Sequence, residues 1–310
     1  MRSVHALMSS AIDYAGLYPP AQHDTRTTVD LFTQVHDSKR VWMLGRLVWP
    51  AAKLDELSKL AKHHAPEARP PMTEGAWAIS CVAAPAGTQD LDADLKAIVR
   101  FNERHEAEGA PAMRIDAIEM RGESTAAIER TVTQLPDDLF PYFEIALDAD
   151  PRGAVAALVG EEAGLKFRTG GTTPEAHPAA GDLARAIAAC AAALVPFKAT
   201  AGLHRALCHF NHAAGAQQFG FLNVLIGSAL AWESRIGEEM LTELLNVSSV
   251  ERIDFSEGAI AWQGARVTVA EIMEARARLL HSFGSCSFDE PWNDLVAMEL
   301  VRAVTSGGAA

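Results

Sequence analysis

Short apolar runs alternate with longer amphipathic or alanine-rich stretches along the first two-thirds of the chain. Parallel strands need crossover connections, so this alternation predicts a parallel β-sheet covered by helices. The apolar runs have the length of buried strands, and the stretches between them have the length of helices. Seven candidate strands are residues 10–14, 41–48, 76–83, 115–121, 141–147, 163–169 and 195–200.

An eighth strand, drawn from residues 250–255 or residues 280–285, would close this sheet into a barrel. The α/β class is therefore predicted, as a (β/α)8, TIM-barrel-like fold. A doubly wound open sheet is the alternative, because alternation alone does not establish closure. The length of 310 residues fits one barrel of about 250 residues with additions, so residues 1–310 are predicted to form a single domain.

Residues 215–310 depart from the repeat and form a divergent C-terminal part. Residues 220–245 are predicted to form one or two apolar helices, and residues 268–281 a further helix. A small hairpin is expected from residues 253–255 and 259–262, which flank a Ser-Glu-Gly turn.

Composition excludes several partner classes. A formal charge of −13, from 27 basic and 40 acidic residues, argues against a surface that binds nucleic acid. The longest apolar stretch, residues 219–232, is too short to cross a bilayer. The amino terminus lacks a signal-peptide pattern, and the four scattered cysteines form no C-x-x-C pair, so a cytoplasmic location is expected. We expect a small-molecule substrate, no membrane, and a homo-oligomer as one possible assembly.

Charged residues recur at every second position in four successive candidate strands. Residues two apart point to the same face of a strand, and in a barrel that face is the interior. Burying unpaired ions is costly, so these side chains predict an active site near the carboxyl ends of the strands. A purely structural ion-pair network is the alternative. The set comprises Glu119, Arg121, Glu144, Lys166, Arg168, Lys198 and, with them, Thr200.

Lys166 and Lys198 lie about one βα unit apart and are expected on adjacent strands. Mutual repulsion and desolvation would then favour a neutral amine on one of them. A neutral amine is required to form a Schiff base with a carbonyl substrate. The alternative for either lysine is a salt bridge or a contact with an anion.

The segments GLKFRTGG and VPFKATAGLH resemble strands six and seven of class I, Schiff-base aldolases of the deoxyribose-phosphate aldolase type. The resemblance covers about one βα unit and one acid. It implies that Lys166 forms the Schiff base, that Lys198 lowers its pKa, and that Glu119 is the strand-four acid. Phe167 and Arg168 replace the small hydroxylated residues of that family.

A second resemblance extends over the whole chain. The motifs IDYAGLYPP, KFRTGG, FKATAGLH and FGSCSFDEP are similar to those of a set of uncharacterised bacterial proteins. This resemblance implies one shared architecture and no particular reaction.

Other residues near the strand ends are candidates for binding a substrate anion, through glycine backbone N–H groups or through charged side chains. These residues are Gly170, Gly171, Gly202, Arg46, Arg168, Arg121, Thr200 and Asp13. His204, directly after strand seven, is a candidate general acid or base, or an anion donor.

Two further groups have less specific patterns. His209 and His212 are three apart and are expected on one face of a helix, as surface or packing residues. The alternative is a zinc site of no standard spacing, formed with His204 and either Glu119 or Glu144. Cys286 is a candidate nucleophile for which the sequence provides no base, and a buried thiol is the alternative.

The sequence therefore predicts a lyase of the aldolase type that acts on a small, anionic carbonyl compound through a barrel-mouth lysine. No cofactor is expected. One alternative is a metal-dependent lyase or isomerase that uses Glu119 and Glu144 as ligands. The other is a barrel that binds a metabolite without catalysis.

Overall fold

The strands of the protein correspond closely to the predicted apolar runs. The computed structural model describes residues 1–70 and 74–302. Within this part of the chain the strands are β1 (Ile12–Tyr14), β2 (Leu44–Pro50), β3 (Trp77–Val82), β4 (Met113–Arg121), β5 (Phe140–Ile145), β6 (Gly164–Arg168), β7 (Phe197–Thr200), β8 (His209–Asn211), β9 (Ala216–Gln218), β10 (Asp254–Phe255), β11 (Ala259–Trp262), β12 (Ala265–Thr268) and β13 (Leu280–Ser285).

Strands β1 to β7 and β13 form a closed barrel in which every neighbouring pair is parallel. Strand β13 lies between β7 and β1, so residues 280–285 provide the eighth strand. Residues 250–255 lie outside the barrel. The (β/α)8 prediction is confirmed, and the open-sheet alternative is wrong, because β1 pairs with both β2 and β13.

Helices connect and cover the strands. They are α1 (Arg2–Met8), α2 (Thr25–His36), α3 (Leu54–Ala61), α4 (Gln89–Glu106), α5 (Thr125–Val132), α6 (Arg152–Ala156), α7 (Ala180–Ala193), α8 (Phe221–Trp232), α9 (Glu238–Leu245), α10 (Val269–Arg278) and α11 (Asp289–Ala297).

The period-two pattern of the strands separates two environments. In β6, Leu165 and Phe167 belong to the apolar core, whereas Lys166 lines a cavity at the barrel mouth. The ring of Phe167 packs at 4.9 Å from that of Phe197 in β7. Because alternate residues of a strand point to opposite faces, the apolar side chains of β6 and β7 face the outer layer, and Lys166 and Lys198 face the interior.

The C-terminal part contains both additions and the last barrel strand. Two helices, α8 and α9, occupy residues 220–245 as predicted. The small hairpin is present with a third strand, so that β10, β11 and β12 form an antiparallel sheet. The helix predicted over residues 268–281 ends at Arg278, since the chain must extend from Leu280 to form β13.

Helix α8 is apolar on all sides, as expected of a helix that is buried all round. It has 12 residues. Over residues 1–70 and 74–302, no helix is long and apolar enough to span a membrane.

Asn223, in the first turn of α8, connects this helix to the loop after β7. Its side-chain oxygen accepts hydrogen bonds from the backbone N–H groups of Gly220 and Cys208, at 3.1 and 2.8 Å. Its amide group donates to the carbonyl oxygens of Leu244 and Val247, at 2.8 and 2.9 Å. This buried amide therefore fixes one end of the segment that carries His204.

Gly220 allows the same segment to approach α8 closely. A Cβ atom at Gly220 would lie 2.2 Å from the carbonyl oxygen of Ala206 and 2.2 Å from the Cα atom of Leu207. Gly181, in the first turn of α7, has no heavy atom within 4 Å of the corresponding position.

We predict that Gly220→Ala lowers the free energy of unfolding by about 1–3 kcal/mol or more, because backbone atoms would have to move apart. Gly181→Ala should leave it unchanged or raise it by up to about 1 kcal/mol, because alanine favours the helix. Urea unfolding followed by circular dichroism measures both. Equal urea midpoints for Gly220→Ala and Gly181→Ala would contradict the close approach of the backbone to Gly220.

Candidate active site

A cavity of about 640 Å³ opens at the carboxyl ends of the barrel strands. Its wall includes charged side chains from four neighbouring strands. Arg121 of β4 pairs in register with Glu144 of β5, Glu144 with Lys166 of β6, and Lys166 with Lys198 of β7. The barrel geometry thus places these four side chains side by side at one level.

Glu119 lies one inward-facing position below Arg121 and bridges the two lysines. Its Oε1 atom accepts a hydrogen bond from Nζ of Lys198 at 2.6 Å, and its Oε2 atom lies 2.9 Å from Nζ of Lys166. The hydroxyl of Ser80 also donates to Oε1, at 2.6 Å. One carboxylate therefore separates the two ammonium groups.

The network continues inward from Lys198 to Asp13. Nζ of Lys198 donates to Oδ2 of Asp13 at 2.5 Å, and the Ser282 hydroxyl donates to the same oxygen at 2.7 Å. The other oxygen, Oδ1, accepts the backbone N–H of Arg46 at 2.9 Å. Asp13 is fully buried and serves Lys198 as its innermost counterion.

Toward solvent, the network passes from Lys166 to Glu144 and Arg168. Nζ of Lys166 lies 2.8 Å from Oε2 of Glu144, and Nε of Arg168 donates to Oε1 of Glu144 at 3.1 Å. Side-chain exposure rises from 9% for Lys166 to 17% for Glu144 and 50% for Arg168. We call the whole series the ion-pair chain: Asp13, Lys198, Glu119, Lys166, Glu144 and Arg168.

The ion-pair chain alternates three carboxylates with three cations, so its formal charges cancel. Burial alone would raise the pKa of Glu119, but the ammonium groups of Lys166 and Lys198 outweigh it and hold that pKa well below its ordinary value. Burial would likewise lower the pKa of Lys198, but Asp13 and Glu119 raise it overall. Lys198 is therefore an ammonium ion at neutral pH.

This arrangement corrects one part of the expectation from sequence. Mutual repulsion was expected to favour a neutral amine on one of the two lysines. Instead, Glu119 lies between them and compensates both charges, and Lys198 is 1% exposed and enclosed by two carboxylates. Both lysines line the cavity, but only the carboxylate partner of Lys166 toward solvent, Glu144, is partly exposed.

The predicted site residues divide into those that line the cavity and those that support it. The cavity lining includes Lys166, Lys198, Glu119, Glu144, Arg121, Arg168, Gly171, Thr200, Gly202 and His204. Three predicted binding residues lie outside it. Asp13 binds Lys198, Gly170 packs against the backbone of Gly202, and Arg46 forms a bidentate ion pair with Asp116, at 2.7 and 2.8 Å.

The position of Asp116 explains why Arg46 points elsewhere. Strand β4 has an irregularity here, since Ile79 pairs with Ile115 while Ser80 pairs with Ala117. The extra residue, Asp116, projects toward Arg46. A bulge of this kind leaves no signal in the periodicity of the sequence.

His204 lies on another part of the cavity wall, in contact with Cys286 and Glu290. Its Nε2 atom is 3.9 Å from Sγ of Cys286, and its Nδ1 atom is 2.9 Å from Oε2 of Glu290. Burial would lower the pKa of His204, but the hydrogen bonds to Cys286 and Glu290 raise it to about 9. Cys286 lines the cavity as well.

The other histidines do not join this cluster. His209 lies in β8 and His212 in the turn that follows, so the helix predicted for them is wrong. Nδ1 of His209 contacts the carbonyl oxygen of Leu207 at 3.2 Å. In residues 1–70 and 74–302, no group of three or more His, Cys, Asp or Glu side chains is arranged to hold a metal ion.

Glu290 and Tyr18 are two polar residues of the cavity region that the sequence patterns did not indicate. Glu290 is the third member of the His204 cluster, and only the fold brings it near. Tyr18 lines the cavity, and its buried hydroxyl has no hydrogen-bond partner among the residues described. The position of Tyr18 in the loop after β1 was a usable signal, because all such loops meet at the carboxyl face of a barrel.

A second cavity, of about 730 Å³, adjoins the first and shares Arg121, Glu144 and Arg168 with it. The two arginines are therefore accessible from both cavities, at the outer end of the ion-pair chain. They are the cationic groups best placed to meet an anion entering the site.

Comparison with protein-family models found no match, and comparison with curated proteins found none either. Among solved structures, the chain is similar to the citrate lyase beta subunit from M. tuberculosis, complexed with oxaloacetate and magnesium, with 10% identity and a TM-score of 0.37. That match covers 63% of this chain and 80% of the other.

Two further solved structures show similarity. RipC from Yersinia pestis matches with 14% identity and a TM-score of 0.30, covering 66% of this chain and 97% of the other. The Bacillus cereus spore cortex-lytic enzyme SleL matches with 13% identity and a TM-score of 0.40, covering 97% of this chain and 76% of the other. At these values the similarities carry no information about the reaction. The strand order defines this protein as a (β/α)8 barrel with a charged cavity at its carboxyl face.

We predict that Glu119→Gln lowers the free energy of unfolding at pH 7 by about 3–5 kcal/mol, because two buried ammonium groups lose their shared counterion. The pKa of Glu119 is lower in the folded protein than in the unfolded chain. Its stabilising contribution is therefore present above the unfolded pKa, about 4.3, and is lost as the pH falls through the folded pKa.

Chemical unfolding at pH 7 and at several lower pH values tests this. The difference in the free energy of unfolding between the wild type and Glu119→Gln should become smaller as the pH falls. Glu129→Gln, at an exposed position of α5, is the matched control and should unfold like the wild type. A Glu119→Gln variant as stable as this control would contradict the role of the bridge.

Proposed function

We propose that this protein is a lyase that forms a Schiff base between Lys166 and a small, anionic carbonyl compound. The observation that carries the proposal is the position of the Lys166 amine. It lies at the cavity wall, between the carboxylates of Glu119 and Glu144, with Lys198 directly behind Glu119. Acid–base groups within hydrogen-bond distance of a nucleophile are what covalent catalysis requires.

Charge conservation favours iminium formation at this position. The Lys166 ammonium group gives a proton to Glu144, and the neutral amine adds to the carbonyl carbon of the substrate. A second proton moves from the nitrogen to the carbinolamine oxygen, the first returns to that oxygen from Glu144, and the oxygen leaves as water. An ammonium ion and a carbonyl thus become an iminium ion and water, so Glu119 and Glu144 face one positive charge before and after the reaction.

Carbon–carbon cleavage would follow from the iminium ion. A carboxylate removes the proton of the substrate hydroxyl, the neighbouring carbon–carbon bond breaks, and its electron pair moves to the iminium nitrogen. One carbonyl product leaves, and the enamine on Lys166 is protonated and hydrolysed. Glu144 is the carboxylate suited to carry these protons, because its side chain is 17% exposed and that of Glu119 is 3% exposed.

The remaining residues of the wall are assigned by their contacts. Lys198 and Ser80 hold Glu119 in place as a permanent carboxylate. Arg121, Arg168 and the backbone of Gly171 would bind the anionic group of the substrate. The Tyr18 hydroxyl is a donor without a partner among the described residues, and it would contact a substrate oxygen.

Two wider expectations belong to the same proposal. The four cysteines are free thiols, which supports a reducing, cytoplasmic compartment. The lysine mechanism is favoured over a metal site at Glu119 and Glu144, because the oxygens of both carboxylates already bind lysine or arginine side chains.

We predict that borohydride reduction in the presence of a reactive substrate attaches that compound to Lys166, since reduction makes an iminium permanent. The experiment treats the protein with a panel of small anionic aldehydes and ketones and maps the adduct by peptide mass spectrometry. Lys166→Met should lose the adduct and reduce kcat/KM by about 10³-fold or more.

Lys96→Met, an exposed lysine of α4, is the matched control and should keep both adduct and activity. An adduct confined to other lysines, or turnover of a substrate that leaves no adduct, would refute the Schiff base. A compound that raises the melting temperature without being converted would favour a binding barrel instead.

We further predict that Arg121→Gln raises KM by about 10- to 100-fold and leaves kcat nearly constant, because a charged hydrogen bond to the anion contributes about 1.5–3 kcal/mol. Steady-state kinetics on a substrate identified by trapping measures this. Arg114→Gln is the matched control, since Arg114 lies near the other end of β4 and pairs with Asp138 at 2.9 Å. A fall in kcat with constant KM would contradict the binding role.

A further inference from the structure

We propose that Cys286, His204 and Glu290 form a second nucleophilic centre in the same cavity, which transfers acyl groups from small esters or thioesters through Cys286. This thiol centre is distinct from the ion-pair chain and does not depend on Lys166.

The geometry of the three side chains carries the proposal. Sγ of Cys286 lies 3.9 Å from Nε2 of His204, and Nδ1 of His204 lies 2.9 Å from Oε2 of Glu290. A nucleophile, a base and an acid that orients the base are thus joined in series, the arrangement that activates catalytic thiols and hydroxyls. Distances between nucleophile and base are often longer before substrate binds.

The position in the fold is also that of catalytic residues. Cys286 directly follows β13, and His204 lies in the loop after the adjacent strand β7. Both side chains line the cavity, whereas Glu290, in the first turn of α11, approaches His204 from the solvent side. A substrate in the cavity can therefore reach the thiol while Glu290 stays behind the imidazole.

The surroundings of His204 also suit a reactive thiol. At neutral pH the imidazole carries a proton, and an adjacent imidazolium ion stabilises a thiolate. The other three cysteines differ, because within residues 1–70 and 74–302 none of them is hydrogen-bonded to a histidine, and Cys208 accepts from Gln217 instead. Cys286 is therefore the one distinguished by its partners.

The reaction balances without any further reagent. The thiolate adds to the acyl carbon, the bond from that carbon to the leaving oxygen or sulfur breaks, and His204 protonates the leaving group. Water then attacks the thioester on Cys286, with His204 removing its proton, and the carboxylic acid is released. The net change is an ester or thioester plus water to an acid plus an alcohol or thiol.

The first experiment uses the wild-type protein alone. Limiting iodoacetamide followed by peptide mapping compares the alkylation rates of Cys81, Cys190, Cys208 and Cys286. We expect Cys286 to react at least about tenfold faster than the others near pH 7. An alkylation rate of Cys286 no greater than those of the other three cysteines would overturn the proposal. Because only the wild-type protein is used, this result does not depend on the folding of any variant.

The second experiment uses p-nitrophenyl acetate and an acetyl thioester of N-acetylcysteamine as probes. We expect a burst of released nitrophenolate and an acetyl group on the Cys286 peptide. Cys286→Ser should abolish the thioester adduct, whereas Cys208→Ser, a buried cysteine outside the cavity lining, should retain it. A rapidly alkylated Cys286 that never acquires an acetyl group would overturn the acyl-transfer assignment.

Two further variants separate catalysis from structure. His204→Asn should slow acetylation by about 10²- to 10⁴-fold, because the thiolate loses its imidazolium partner and the leaving group loses its proton donor. Glu290→Gln should move the pH profile of acetylation to lower pH, because Glu290 helps to raise the pKa of His204. Unchanged rates and profiles in both variants would refute the thiol centre. The acetyl group is mapped to Cys286 and the borohydride adduct to Lys166, so failure of one proposal can be distinguished from failure of the other.

Discussion

The carboxylate of Glu119 is the contact on which the interior of this barrel depends. It lies between two ammonium groups that would otherwise repel each other in a medium of low polarity, and each of its oxygens meets one lysine. Burying any one of these ions alone would cost several kcal/mol. Together with Asp13, Glu144 and Arg168 they form a series of alternating charges whose formal sum is zero.

The series also has a direction, because exposure increases from Asp13 in the interior to Arg168 at the mouth. The inner members, Asp13, Lys198 and Glu119, are fixed by hydrogen bonds to one another and to Ser80, Ser282 and the backbone of Arg46. The outer members are more accessible to solvent, and Lys166 lies at the boundary between the buried and the exposed members. This gradient is the physical reason for assigning nucleophilic chemistry to Lys166 and support to Lys198.

The second nucleophile that we propose for the cavity wall, Cys286, has surroundings of a different kind from those of Lys166. Lys166 is placed by carboxylates on neighbouring strands, whereas Cys286 is placed by a histidine from one loop and a glutamate from a helix. A carbonyl compound is the common electrophile of amines and thiols. Both proposals therefore assign carbonyl chemistry to this cavity, through different bonds.

The strands and their inward charges were predictable because both follow from local patterns. Alternation of apolar runs indicated the parallel strands, and the period of two placed Glu119 with Arg121 and Lys166 with Arg168 on the face that becomes the barrel interior. Two other patterns misled. His209 and His212 have helical spacing but lie in and beside a hairpin, and Asp116 occupies a bulge that directs Arg46 away from the cavity.

The sequence by itself determined which residues become strands and which side chains point inward, because both depend on neighbours a few positions away. Only the tertiary structure decided which charges meet. Lys198 binds Glu119 and Asp13, which are 79 and 185 positions away in the chain, and Glu290 is 86 positions from His204. Such pairings exist only once β13 completes the circle of strands, since closure is what brings distant strand ends to one cavity.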